Sequence, residues 1–206
     1  MRRFIRLLMI NTFLTLSLAG RAGEGFVSLQ DSILLSAFRQ QDMTVWDRHI
    51  DSLSSMNWIF TTFDLLYEYG LCGDKVDKDK KHALAYVKRF KAHVEDAKEL
   101  LPAGHYEMYR SAIYVYEMGL HYSLHPIRAL DLAKQATRLA PTDPLVLSYY
   151  GTCFFYAPKP FGSKSEALKW FLKAEEFFSD IRYKFCWVRE MNEMYIQQCR
   201  EKLKKR

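Results

Sequence analysis

The 206-residue chain holds no Asn-Gly or Asp-Gly pair, and no segment sustains the alternation of apolar and polar residues that marks a half-buried strand. Hairpin-built β architectures are thereby excluded. Glycine and proline are scarce, at nine and six residues, while aromatics reach 15%. That composition rules out low-complexity or disordered chain and indicates a packed core. The familiar catalytic signatures are missing as well: there is no G-x-S-x-G elbow, no phosphate-binding loop, no H-E-x-x-H and no paired C-x-x-C. No catalytic residue, metal or cofactor is expected.

The one sustained apolar run lies at the start. Arg2, Arg3 and Arg6 precede an uncharged stretch over 7–18, and the small residues Ala19, Gly20 and Ala22 follow. This order is that of a secretory signal peptide over 1–22, with cleavage after Ala19 or Ala22. The run is shorter than the roughly 20 apolar residues a membrane-crossing helix requires. An exported chain, periplasmic or secreted, with no integral membrane segment after cleavage is the expectation. No cysteine stands near the cleavage sites, so a lipid-modified cysteine anchor is not expected.

Residues 1–22 carry four arginines and no acid, which leaves 26 basic against 24 acidic residues in the rest. The basic balance of the whole chain therefore belongs mostly to the leader. Nucleic-acid binding needs a basic stripe, and the one dense run, over 201–206, reads as a solvated helix end. No nucleic-acid partner is expected.

Helical spacing dominates what remains. Helices are expected over 29–41, 45–69, 82–101, 106–122, 127–139, 144–156, 166–178 and 183–203. The punctuation is physical. Gly70 and Gly73 stop the second helix, and Pro102 with Gly104 stops the third. Pro126 opens the fifth, Pro141 closes it, and Asp143 caps the sixth with Pro144 at its first position. Ser163-x-x-Glu166 is a capping box, in which each side chain satisfies an exposed backbone donor beside the other. The divisions are a leader over 1–22, N-terminal helices over 23–57, helical hairpins over 58–180 and a capping helix over 181–206.

Small and aromatic residues recur within these hairpins. Ala129 and Ala136 lie seven apart, with Pro141 five further on; Gly151 is followed by Ala167, Phe171 and Ala174. This pattern resembles the tetratricopeptide repeat, in which small residues allow close helix approach and an aromatic fills the gap to the next hairpin. Two departures stand out. Ala129 and Ala167 are 38 residues apart rather than the usual 34, with the excess assigned to the Pro/Gly loop over 157–162. An upstream unit around Gly70 and Ala83 is weaker in register.

The resemblance implies an all-α fold of antiparallel helical hairpins stacked as a short right-handed superhelix, whose concave face holds a protein or peptide segment. Carried over from Gly151, the groove-lining residues would be Ser148, Thr152 and Phe155 with Tyr156 at the mouth, and Tyr67 and Tyr116 upstream. The family's lysine and asparagine clamp for chaperone carboxylates is not implied, because Ser148 and Thr152 stand in those places.

Three further constellations stand in the sequence. His121 and His125 have the spacing of a metal pair, but Pro126 follows at once and no third ligand is evident; Asp77 and Asp79 lack the glycine and the glutamate of a calcium loop. Cys72, Cys153, Cys186 and Cys199 allow three pairings. Cys186 and Cys199 on one helix would lie on the order of 19 Å apart, beyond the roughly 7 Å between bridged Cα atoms, and four buried thiols are the simpler expectation. The alternative function is an envelope glycan-binding or glycan-acting protein, with Tyr and Trp side chains against sugars and Glu117, Glu175 or Glu190 as an acid.

Overall fold

The computed structural model describes residues 54–55, 58–59, 80–120, 125–158, 160–179 and 187–204, with the side chains of 80–83 and 187 left aside. The leader, most of the N-terminal helices, Tyr67, Gly70, Cys72, His121 and Cys186 lie outside these residues. Within them the fold is all-α. Helix α1 spans Lys80–Asp96, α2 His105–Gly119, α3 Pro126–Leu139, α4 Pro144–Tyr156, α5 Lys164–Phe178 and α6 Trp187–Lys204. No strand occurs among the described residues, and none of their helices is long and apolar enough to cross a membrane.

Each helix packs on the next in chain order, joined by short connections, and α4 also touches both α2 and α6. Alternate helices thus meet along one side of the stack. Alanine makes the approach close. Ala129, Ala133 and Ala136 form the buried stripe of α3, and Ala167, Phe171, Ala174 and Phe178 that of α5. These are the spacings of a single helix face.

Gly104 is needed twice over where α1 turns into α2. Its φ of 80° lies in the left-handed region, and a Cβ there would stand 2.7 Å from the Ala136 carbonyl oxygen.

The helix expected to run to residue 101 ends at Asp96, and a 3-10 turn over Lys98–Leu100 replaces its last turn. No breaker lies between 97 and 101, so nothing local marks that stop. Ala97 is buried with Leu101 packed on the same core, and the tighter turn brings the chain around to Gly104.

The Ser163 cap is half of what was expected. Ser163 Oγ accepts from the Glu166 amide at 3.2 Å. The Ser163 amide, however, donates to the Phe154 carbonyl at 3.1 Å, so it has no need of Glu166. The glutamate instead accepts from Trp170 Nε1 at 3.2 Å and Lys169 Nζ at 2.9 Å. Ser163→Ala should cost about 1 kcal/mol in urea unfolding followed by circular dichroism, with little further loss on Glu166→Gln.

Two hydrophobic cores share α4. Val146, Tyr149 and Tyr150 enter the first, with Trp58, Phe90, Tyr109 and Tyr116; Leu145, Leu147 and Phe155 enter the second, with Phe171, Tyr195 and Cys199. Every residue from Pro144 to Gly151 is buried. A helix apolar all round belongs inside.

Candidate functional site

The stack is tied together by polar contacts between residues 38 or 39 positions apart. His105 Nε2 meets Asp143 Oδ2 at 2.9 Å, and Ser111 Oγ meets the Tyr149 hydroxyl at 2.8 Å, both pairs 38 apart; Tyr156 and Tyr195 join hydroxyls at 3.0 Å across 39. Two pairs of helices keep nearly the same offset. α3 begins at Pro126 and α5 at Lys164, while α2 begins at His105 and α4 at Pro144. The interval of 38 between Ala129 and Ala167 is therefore the offset between the α2–α3 and α4–α5 hairpins, with corresponding side chains bonded to one another.

Each tie is built from its surroundings. Asp143 Oδ1 accepts the Leu145 and Val146 amides at 2.9 and 3.2 Å, capping α4, while Oδ2 takes His105. Burial pushes the Asp143 carboxyl up, but the His105 imidazole and the two amides outweigh it and hold the group below its usual range. Ser111 donates to the Ala129 carbonyl at 2.6 Å and so accepts from Tyr149, linking α4 through α2 to α3. Burial raises the Tyr149 hydroxyl well above its ordinary value and pushes the neighbouring Cys153 thiol up to about 12. Cys153 and Cys199 are free thiols. Raised in this way, Cys153 stays protonated and is a packing group rather than a nucleophile.

The offset sorts the residues expected to line a groove. Tyr116, Ser148 and Phe155 are only 2%, 3% and 5% exposed and belong to the interior rather than to an open face. Tyr116 packs edge-on to Phe90 with ring centroids 5.7 Å apart; Phe155 lies among Phe171, Tyr195 and Tyr156. The reason is the same in all three cases: α2 and α4 are enclosed on more sides than a single amphipathic face provides. Thr152 is half-buried, its hydroxyl returned to the Tyr149 carbonyl at 2.6 Å, and Tyr156 is 42% exposed. These two retain access to solvent.

Subtracting 38 from Thr152 gives Tyr114, a half-buried residue of α2 that the carry-over from Gly151 passed over in favour of Tyr116. Tyr114 stands edge-on to His125 at 5.8 Å, with the Arg128 guanidinium 5.2 Å from its ring centroid. Arg110, also half-buried, corresponds in the same way to Ser148. Applying the Ala129 to Ala167 interval backwards along the sequence would have found both. Tyr114 and Thr152 are half-buried residues at corresponding positions of α2 and α4, and Arg110 and Tyr156, each four residues away on the same helix, share their faces.

No protein-family model matches the chain, and neither does any curated protein or solved structure. The face has to be read from its own chemistry.

Among the described residues no group of three His, Cys, Asp or Glu side chains is placed to share an ion. Glu175, considered as an acid, holds Asn192 Nδ2 at 3.1 Å and Arg189 at 3.5 Å, an α5–α6 tie. What the face offers is aromatic surface, one guanidinium and hydroxyls. Those groups suit binding by packing and hydrogen bonding.

Proposed function

We propose that this chain is an exported, non-catalytic adaptor of tetratricopeptide-like architecture, which holds a protein or peptide segment along the side where its alternate helices meet. The observation that carries the reading is the 38-residue register, by which matching residues of α2 and α4 are bonded across the stack. Stacked hairpins of this kind gain an extended recognition surface whose units repeat. Small buried residues at Ala129, Ala136, Gly151, Ala167 and Ala174 with the aromatic Phe171 support the same reading. The N-terminal leader motif supports export.

Tyr114 and Tyr156 are the natural probes, since a photoreactive phenylalanine analogue is close to tyrosine in shape. Incorporated at either position in cells, it should capture one recurrent protein, whereas the same group at the exposed Lys134 or Gln135 of α3 should not. Equal capture from both sets would overturn the adaptor reading. Recovery of glycan fragments alone from Tyr114 and Tyr156 would favour the sugar-binding function instead.

A further inference from the structure

Two ammonium groups converge on one aromatic ring at the end of α4. Lys164 Nζ lies 3.5 Å from the Phe155 ring centroid and Lys202 Nζ 5.1 Å from it. Lys164 also donates to the Phe155 carbonyl in the last turn of α4. Neither lysine is paired with a carboxylate among the described residues. The contrast with nearby cations is plain: Lys169 holds Glu166 at 2.9 Å, and Arg189 holds Glu175 and Glu193, each at 3.5 Å.

Two tyrosines and a cysteine also stand in this part of the structure. Tyr156 and Tyr195 pack on Phe155 with centroids 5.0 and 5.1 Å away, and Cys199 lies on the same face of α6 as Tyr195 and Lys202, at helical intervals of four and three. Burial lowers the Lys164 amine, the Lys202 charge lowers it further, and Cys199 opposes the shift. Like charges held near one ring without an acid between them form a local positive field, which a compact anion would relieve.

We propose that Lys164 and Lys202, on the ring against which Tyr156 also packs, form a binding site for a phosphomonoester group. The match is one of charge: a phosphomonoester carries about −1.5 to −2 near neutral pH, against a single charge on a carboxylate, and lysine meets phosphate as a point charge. The site borders the proposed peptide-binding face at Tyr156, but its argument does not rest on that reading. Its ligand is a free phosphorylated metabolite or the phosphate of a lipid headgroup, two sources of one chemistry.

The test is a titration of the exported chain with inorganic phosphate, followed by amide resonances in two-dimensional NMR. Saturable shifts are expected at Tyr156, Lys164 and Lys202. Lys202→Gln, at an exposed position where folding is not at stake, should weaken binding about tenfold, and Lys164→Gln at least as much. Co-sedimentation with phosphatidylcholine vesicles carrying phosphatidic acid separates the sources. Binding to both probes, lost in Lys202→Gln, assigns the headgroup, and binding to phosphate alone assigns the free ester. Equal shifts with acetate at matched ionic strength, or unchanged phosphate affinity in Lys202→Gln, would overturn the proposal.

Discussion

Gly151→Ala is expected to destabilise the protein by about 2 kcal/mol, although alanine is the better helix former by about 1 kcal/mol. A Cβ at this position would stand 2.6 Å from Phe171 Cε1 and 2.7 Å from Cδ1. The ring has nowhere to retreat. It stacks on Tyr195 at 5.2 Å with an interplanar angle of 14°, and Phe155 closes another side at 6.3 Å. Helices α4 and α5 must therefore separate, and the loss of packing exceeds the gain in propensity. Gly151→Val, with two further methyl groups and a branched Cβ, should cost more than about 3 kcal/mol. Urea unfolding reads both. A double-mutant cycle with Phe171→Leu gives the mechanism its own check: the pair should lose at least about 1 kcal/mol less than the two single changes together. Simple additivity would mean that the glycine is required for some reason other than the ring.

Asp143→Ala should cost about 2–4 kcal/mol, because one side chain both caps α4 and holds His105. The lost cap accounts for about 1 kcal/mol, and the loss of the Asp143 carboxylate from the buried His105 Nε2 for about 1–3 kcal/mol more. Asp143→Asn keeps an oxygen for the amides and should recover the cap but not the full His105 contact. The carboxyl also sets a pH dependence. Its folded pKa lies below the ordinary value of 3.8, so the folded state favours the ionised form. That stabilisation is complete above the unfolded pKa and is lost as pH falls below about 4 through the folded value. In wild type, the urea midpoint should drop on acidification below that point more steeply than in Asp143→Asn. Parallel pH profiles for the two proteins would show that the carboxylate charge contributes nothing.

Much of the fold was legible because its boundaries are chemical. Pro126 and Pro144 open helices where a missing N–H costs nothing, Asp143 and Ser163 supply side-chain oxygens, and the alanine stripes of α3 and α5 repeat at helical spacing. The end of α1 was not legible, since tertiary packing of Ala97 and Leu101 decides it rather than any local breaker. The candidate face was legible in part. Thr152 and Tyr156 reach solvent as expected, but Ser148 and Phe155 do not, because a helix as uniformly apolar as α4 carries no periodic signal to say which side is wet; Tyr116 is buried because α1, α3 and α4 enclose α2. The 38-residue interval held the missing information. Used as a register instead of being assigned to a loop insertion, it places Tyr114 where Tyr116 had been expected.

Arrays of stacked hairpins ordinarily unzip unit by unit, since each unit touches only its neighbours and the ends let go first. The enclosure of α4 changes that order. One helix supplies three large side chains to each of the two cores, so neither core can open while the other remains intact. Fraying can take the outer turns of α1 and α6, but it stops at a common centre. The two hairpins that meet at α4 consequently unfold as a single cooperative unit rather than one after the other.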